Sequence, residues 1–358
     1  MRKQKFFICA AALCLSVTLA SCGGGGGDDT KKEVAILVPS ADHGWTGAVG
    51  GYADEYAKEM NEKADSKYTY KVYRAETNEV QLGTIDTLIA GGKTAGVAIL
   101  PMSNDTESGI VKLANSDIPF TMVDRIISNA TIDGSKSLVS TVKGDNEGIG
   151  KQTAIKFKAL GIEKGDKVLV MPGDNSSVPT SRNKGFTDQM MTYGWTQADL
   201  DASLKSTDFT NWNRSNSRTL FQNWIDAEND VAAYKFVFTH DSEISLGILE
   251  ELADNKIADA KKAAFKANIK AIGSSSGLEE MYQVIRGDHP RSSTYNSLVN
   301  ADCVLFDVTY PPEMIKDGAQ DVTDFLNGKT VSKSHVIPCE VIDKNSIGDK
   351  VGFGGKVK

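Results

Sequence analysis

The sequence is poor in the residues that metal sites need. Its 358 residues include five cysteines and four histidines, and the histidines stand far apart, without metal-ligand spacing. It contains neither the Gly-x-x-x-x-Gly-Lys loop that holds nucleotide phosphates nor the Gly-x-Gly-x-x-Gly fingerprint of dinucleotide binding. We therefore predict neither a metal site nor a cofactor.

Charge of one sign is not concentrated in any long block. The 40 basic and 47 acidic residues give a formal net charge of −7, and the two signs are interspersed along the chain. An acidic chain of this kind argues against nucleic acid as a partner.

The long apolar run is confined to the start of the chain. A basic start precedes an apolar stretch at 6–20, which is too short for a stable membrane span and is typical of a secretory signal. The stretch ends in Leu-Ala-Ser-Cys, which resembles the bacterial lipobox, although an ordinary signal with a chance cysteine is the alternative. We expect a lipoprotein signal peptide at 1–21, lipidation of Cys22 and a glycine-rich tether at 22–33. The protein would then be extracytoplasmic and lipid-anchored to the bacterial envelope, in the periplasm or on the outer surface.

Two cysteines remain beyond the signal and the lipidation site. Cys303 and Cys339 both lie in strand-like runs. The export route permits a disulfide between them. Two buried free thiols fit the sequence equally well, so the pairing stays open.

From residue 34 onward, apolar strand-like runs alternate with helical patterns. The runs lie at 34–39, 70–74, 96–101, 119–123, 167–171, 235–239, 269–273, 303–308 and 335–342. The helical patterns lie at 45–63, 78–91, 105–116, 146–160, 180–193, 213–228, 241–255, 277–287 and 311–328. This order predicts parallel sheets covered by helices on both faces, and the length fits two α/β domains better than one.

Polar and aromatic residues follow several of the predicted strands. In open parallel sheets, ligands bind beyond the carboxyl ends of the strands. Aromatic faces pack against the C–H faces of sugars, and carboxylates and guanidinium groups bond paired hydroxyls. A lone tryptophan is usually a core or rim residue, and an adjacent Asp-Arg pair is usually a surface pair, so the prediction depends on their shared location. The candidates at these ends are His43, Trp45, Asp124, Arg125, Arg182, Phe209, Trp212, Asp241 and Ser275.

Five segments with the same order and spacing resemble a known family. They are VDRIISN, KGDNEGIGKQTA, SRNKGF, FVFTHDSEISLGILEEL and DVTYPPEMIKDGAQDVTDFLNGK. Over about 34–342 the chain resembles the type I periplasmic binding proteins of the ribose- and galactose-binding kind, the sugar-binding lipoproteins of ABC transport systems. The resemblance implies no catalytic activity.

The resemblance implies two similar Rossmann-like lobes, each with a parallel sheet flanked by helices, joined by a hinge of three chain crossings. The N-terminal lobe would comprise 34–144 and 310–337. The C-terminal lobe would comprise 145–309 and 338–358. A small sugar or polyol would be clamped between the lobes and delivered to an ABC permease or a membrane sensor.

The resemblance also assigns roles to individual positions. Trp45 would stack on the sugar beside His43, and Thr309 would make a polar contact at the hinge. Two departures point to a different hydroxyl pattern, since Ser275 replaces a carboxylate and Asp241 stands where many relatives carry Asn. The residues expected to bond ring hydroxyls or line the sugar are Asp124, Arg125, Arg182, Phe209, Trp212 and Asp241.

Two alternatives remain open. A lipoprotein that binds nucleosides or an autoinducer uses the same fold, and the tryptophans would then stack on a base. From another class, a serine hydrolase would use Ser275, because Gly-x-Ser-x-Gly spans 273–277 between a strand and a helix. Asp307 and His335 follow in the appropriate chain order. The tight turn with helix-capping serines is the simpler interpretation.

Overall fold

The computed structural model describes residues 31–41, 44–254 and 256–354. Within these residues the strands form two six-stranded sheets. The first sheet contains β1 (Glu33–Pro39), β2 (Thr69–Ala75), β3 (Thr94–Ile99), β4 (Phe120–Val123), β5 (Leu138–Gly144) and β11 (Ser334–Ile337). The second sheet contains β6 (Lys167–Met171), β7 (Leu204–Ser206), β8 (Tyr234–Thr239), β9 (Ala271–Ser276), β10 (Val304–Thr309) and β12 (Val341–Asp343).

The two sheets share one strand plan. The first has the order β11-β5-β4-β3-β1-β2, with all neighbours parallel. The second has the order β12-β10-β9-β8-β6-β7 and is antiparallel only between β10 and β12. These sheets confirm the predicted α/β class with two similar, mainly parallel halves.

Helices flank both sheets. With the first sheet lie α1 (Gly44–Glu62), α2 (Asn78–Ala90), α3 (Glu107–Ala114), α4 (Ala130–Asp133) and α13 (Met314–Leu326). With the second lie α5 (Asn146–Ala159), α6 (Ser177–Thr192), α7 (Gln197–Ser203), α8 (Arg214–Ala227), α9 (Ser242–Ala253), α10 (Asp259–Asn268), α11 (Glu279–Arg286) and α12 (Ser292–Leu298). We call each sheet with its helices the first or the second lobe. None of the helices in the described residues has the length and apolarity to cross a membrane.

The central strands are apolar throughout because both faces of each sheet are covered. In β1, Val34, Ile36 and Val38 pack into one apolar cluster. The alternate residues Ala35 and Leu37 pack into a different cluster on the opposite face. A side-chain period of two therefore leaves no polar face in this strand.

The chain passes between the sheets three times. It leaves the first sheet after β5, returns after β10, and leaves again between β11 and β12. The single strand expected at 335–342 is therefore wrong, because it is two strands that belong to different sheets. Pro338 follows β11 directly, and its missing N–H cannot continue a ladder.

The two remaining thiols are unpaired in the described structure. Cys303 and Cys339 are both partly buried and form no disulfide. Burial raises the pKa of Cys303 to about 12 and that of Cys339 to about 11. Both are therefore protonated thiols at neutral pH.

Helices α5 and α6 meet at two glycines, and this contact sets the position of α6. A Cβ on Gly150 would lie 1.8 Å from the carbonyl oxygen of Arg182, and a Cβ on Gly185 would lie 1.9 Å from that of Glu147. Neither backbone can yield easily, so only glycine allows this approach. The position of the Arg182 backbone therefore depends on a glycine pair.

We expect Gly185→Ala to destabilise the protein by about 1–3 kcal/mol, because the new methyl group overpacks a backbone contact. The free energy of unfolding in urea measures the effect. Gly51→Ala is the matched control, since Gly51 is an exposed residue of α1 where an added Cβ would meet no atom within 4 Å. It should stabilise by up to about 1 kcal/mol through helix propensity. Equal effects of the two substitutions would contradict the close-contact explanation.

Candidate functional site

A cavity of about 220 Å³ lies between the two lobes, at the carboxyl ends of the strands. Tyr310, which directly follows β10 at the second crossing, forms part of its wall. The first lobe contributes Ala41, Gly44, Trp45, Thr46, Asp124 and Arg125. The second lobe contributes Val178, Arg182, Asn211, Trp212, Asn213 and Asp241.

The guanidinium of Arg182 is a buried, oriented charge in this cavity. Its Nε donates to Oδ1 of Asn146 at 2.9 Å, and its Nη1 donates to the carbonyl of His240 and to Oγ of Ser275. Burial lowers the pKa of Arg182, and the phenol of Tyr310 and nearby carboxylates oppose that shift. Nη2 donates to none of the described residues, so its two hydrogens are available to a ligand.

Asp124 uses one carboxyl oxygen within the protein, and the other has no hydrogen-bond donor among the described residues. Its backbone has a φ of 64°, a left-handed conformation that Asp tolerates better than most residues. Oδ1 accepts a hydrogen bond from the hydroxyl of Tyr310, which also accepts one from Nδ2 of Asn146. Burial raises the pKa of Asp124, and the guanidinium of Arg125 opposes this. Oδ2 accepts no hydrogen bond from the described residues.

Asp241 shows the same division between its two oxygens. It is the N-cap of α9, where Oδ1 accepts the backbone N–H of Glu243 at 2.7 Å. Burial raises the pKa of Asp241 to about 8. No described residue donates a hydrogen bond to Oδ2, so a ligand can occupy that position.

Two indole rings form walls of the cavity, and their N–H groups are already bonded. Nε1 of Trp45 donates to the carbonyl of Tyr310 at 2.7 Å, and the two rings lie 5.4 Å apart. Nε1 of Trp212 donates to Oδ2 of Asp174 at 2.7 Å. The ring of Trp212 lies against Gly173, where a Cβ would come within 2.3 Å of it. The indoles therefore offer their apolar surface to a ligand.

Arg125 lies at the first-lobe side of the cavity. Its Nη1 donates to the carbonyls of Met102 and Pro101, which fixes the plane of the guanidinium. Nε lies 3.9 Å from Oδ2 of Asp124, and Nη2 lies 3.7 Å from Oδ2 of Asp174. Nε and Nη2 donate to none of the described residues, so Arg125 still has donors for a ligand.

The cavity brings two guanidinium groups, those of Arg125 and Arg182, close to the carboxyl groups of Asp124 and Asp241. Burial raises the pKa of both carboxyl groups, that of Asp241 to about 8, so Asp241 is mainly protonated at neutral pH. Within the described residues, no three His, Cys, Asp or Glu side chains form a group that could hold a metal ion. The lining therefore combines hydrogen-bond donors and acceptors, which suits a polar ligand.

The structure places six of the predicted ligand residues around this cavity. They are Trp45, Asp124, Arg125, Arg182, Trp212 and Asp241.

Three other predicted residues lie away from the cavity surface. Phe209 is 45% exposed and lies outside the lining, because the chain turns between it and Trp212. Ser275 is fully buried behind Arg182, to which it is hydrogen-bonded. Thr309 faces the third crossing, where its Oγ1 accepts the backbone N–H of Glu340 at 2.8 Å. His43 lies outside the described residues.

Several lining residues were not predicted from the sequence, and Tyr310 is the most important of them. It follows Thr309, and the reversal of side-chain direction at the strand end puts the tyrosine in the cavity instead of the threonine. Asn211 lies in a left-handed turn, and Asn213 is the N-cap of α8. The turn residues were detectable as a polar break in STDFTNWNR, but their direction was not.

The structure does not assemble the alternative serine triad. Oγ of Ser275 donates to the carbonyl of His240. The carboxylate of Asp307 accepts hydrogen bonds from Oγ of Ser274 and from the backbone of Gly277. His335 lies on β11 of the first lobe, 3.5 Å from a carboxylate oxygen of Asp321. The three candidate side chains are thus committed to separate partners.

Comparisons with known proteins agree with this architecture. The sequence pattern of the periplasmic binding protein domain matches residues 34–304. A fructose import binding protein from Bifidobacterium longum is 22% identical over 352 residues, which cover 96% of this chain and 95% of that protein.

Two solved structures share the fold. A galactofuranose binding protein has a TM-score of 0.67 at 17% identity, over 89% of this chain and 96% of its own. The binding protein of the arabinose ABC transporter of Shewanella sp. ANA-3, bound to L-arabinofuranose, has a TM-score of 0.68 at 16% identity. That match covers 88% of this chain and 93% of the other.

We expect Asp241→Asn to change how the stability of the ligand-free protein depends on pH. The pKa of Asp241 is raised from 3.8 to about 8, so the folded protein keeps a proton that the unfolded chain releases. The contribution of that proton to the free energy of unfolding is fully present below the pKa that Asp241 has in the unfolded chain. It is lost as the pH rises through about 8. The Asn variant keeps the N-cap and carries no charge, so its melting temperature should exceed that of the wild type by more at about pH 9 than at about pH 5.

Asp188→Asn is the control for this measurement, because Asp188 is an exposed carboxylate of α6 paired with Lys184. Its difference from the wild type should show no such rise between the two pH values. A difference for Asp241→Asn that is constant with pH would contradict the raised pKa.

Proposed function

This chain belongs to the periplasmic binding protein domain family, and we propose that it binds one monosaccharide or polyol and delivers it to an ABC permease. The relatives described above bind sugars according to their names. The protein would act by binding and closure, without catalysis. A membrane sensor is the other partner for which this fold is suited.

The observation that carries the proposal is the division of hydrogen-bonding capacity in the cavity. Asp124 and Asp241 each use Oδ1 within the protein and leave Oδ2 open, while Arg182 leaves Nη2 open. A hydroxyl group both donates and accepts hydrogen bonds. Paired hydroxyls on one ring therefore satisfy an open carboxyl oxygen and an open guanidinium nitrogen together.

The size and walls of the cavity favour a single ring. At about 30 Å³ per water molecule, the volume is about that of seven waters, which suits a monosaccharide better than an oligosaccharide. Trp45 and Trp212 offer ring surface from different lobes. Such surface suits the C–H faces of a sugar, while the carboxylates and guanidinium groups meet its rim.

Binding and closure are linked because both lobes contribute contacts. A ligand that bonds Asp124 of the first lobe and Asp241 of the second favours the closed arrangement by its extra contacts there. The three crossings between the lobes supply the hinge for that motion. The closed form would be the one that a permease recognises.

The first test is a thermal-shift and calorimetry panel of D-fructose, L-arabinose, D-ribose, D-allose, myo-inositol and adenosine with the protein from residue 31 onward. A ligand that binds only the folded state raises the melting temperature. We expect one sugar or polyol to bind with one-to-one stoichiometry. Binding of adenosine instead would favour the nucleoside alternative, and no binding across the panel would contradict the proposal.

Asp124→Asn tests the site itself. Asn retains the shape, tolerates the left-handed backbone and still accepts from Tyr310, but its amide cannot hold a hydroxyl as a carboxylate oxygen does. We expect about ten- to hundredfold weaker binding of the sugar found in the panel, measured by calorimetry. Asp188→Asn should bind as the wild type does. Equal affinity of all three proteins would remove Asp124 from the site.

We also propose that Cys22 is lipidated and that the tether at 22–33 joins the binding lobes to the membrane. The lipobox-like sequence supports this. Residues 22–30 lie outside the described residues, and Glu33 at the end of the proposed tether is already the first residue of β1. The full-length protein expressed in bacteria should partition into the detergent phase of Triton X-114, and Cys22→Ser should shift it to the aqueous phase. Identical partitioning of the two would contradict the anchor.

A further inference from the structure

Asp174 lies beside the ligand cavity and contacts residues from both lobes. It follows β6 and precedes α6, in a segment outside the five motifs of the sequence analysis. Oδ1 accepts the backbone N–H of Ser176 at 3.0 Å, which fixes the carboxylate against its own loop. Oδ2 accepts Nε1 of Trp212 at 2.7 Å and lies 3.7 Å from Nη2 of Arg125.

The first partner, Trp212, needs an anchor because its backbone is strained. Trp212 and Asn211 have φ values of 58° and 52°, and two successive left-handed residues other than glycine are costly. The backbone N–H of Asn211 bonds the carbonyl of Gly173 at 2.6 Å, so this turn is held to the loop that carries Asp174. The indole bond to Asp174 then fixes the ring over Arg182, whose guanidinium lies 5.7 Å from the ring centre.

The second partner, Arg125, belongs to the other lobe. Carbonyls of the first lobe hold one end of its guanidinium, and the opposite end points toward Asp174. Among the described residues, this is the ion pair that directly joins the two lobes. Its side chains are 13% and 25% exposed, so water screens the pair only in part.

We propose that Asp174 is a positioning residue that couples the shape of the ligand cavity to lobe closure. It would hold Trp212 in place as the second-lobe wall of the cavity and attract Arg125 when the lobes meet. Both side chains would then be in position to contact the ligand at the same time. This inference rests on the proposed function, since it assumes that the lobes close on a ligand. Asp174 is not part of the cavity lining and acts through the two side chains that are.

Two variants separate the two contacts. Asp174→Ala removes both the acceptor for Trp212 and the charge that faces Arg125. Asp174→Asn removes the charge and keeps one acceptor oxygen for the indole N–H of Trp212, while its amide nitrogen cannot accept the N–H of Ser176 that Oδ1 accepts in the wild type. Asp188→Ala and Asp188→Asn are matched controls on α6, because Asp188 is an exposed carboxylate paired with Lys184.

The first readout is the fluorescence of Trp212 in sugar-free protein, isolated as the difference between each variant and the same variant with Trp212→Phe. The second is the radius of gyration from small-angle X-ray scattering at low and high salt. We expect Asp174→Ala to shift the Trp212 emission to longer wavelength and Asp174→Asn to leave it in place. Both variants should show a larger radius of gyration at low salt than the wild type, and neither should show the expansion that salt causes in the wild type.

An unshifted emission in Asp174→Ala would overturn the proposal, as would a wild-type radius of gyration and salt response in Asp174→Asn. If Asp174 only stabilises its loop, both variants should have a lower melting temperature, with no shift in the Trp212 emission and no change in the radius of gyration. That result would overturn the proposal as well. The two readouts need no sugar, so they judge Asp174 even where the sugar panel contradicts the proposed function. Where D-fructose binds the wild type, both Asp174 variants should also release it at least about tenfold faster.

Discussion

The buried guanidinium of Arg182 is the interaction on which the rest of the cavity depends. A buried charge costs several kcal/mol unless hydrogen bonds and opposite charges replace its water. Here the carbonyl of His240 at the end of β8, Ser275 in β9 and Asn146 at the first crossing supply those bonds. One side chain on α6 thereby joins two strand ends to the hinge. The cost of its burial is offset only when all of these elements are in place, so the site and the second lobe form together.

The strands differ in how well the sequence predicted them. In β1 the run of apolar residues indicates a strand covered on both faces, and the structure agrees. The strand β5 was missed because Ser140, Thr141 and Lys143 interrupt its apolar pattern. Its buried serine is satisfied by Oγ of Thr121 and a carboxylate oxygen of Asp321, which come from elsewhere in the chain. Local pattern cannot reveal partners of that kind, since they exist only after the sheet and α13 have assembled.

The candidate site was likewise only partly predictable from local sequence patterns. The predicted strand ends indicated the region where the cavity lies, because the ends of parallel strands meet at one edge of a sheet whatever the details of packing. The direction of each side chain was not predictable, since a change of one residue in a strand reverses the face. Thr309 was therefore preferred to Tyr310. Phe209 was chosen for its aromatic ring, yet the left-handed turn at Asn211 and Trp212 carries only the tryptophan into the cavity.

Tyr310 explains why the hinge and the cavity cannot change independently. It follows β10 at a crossing, its hydroxyl bonds Asp124 and Asn146, and its carbonyl accepts the indole N–H of Trp45. Its ring also lies 4.8 Å from the guanidinium of Arg182. A rotation about the crossings alters the geometry of these contacts, which come from both lobes. The positions of the groups that line the cavity are thus set by the hinge itself, so the shape of the cavity and the arrangement of the lobes depend on one network.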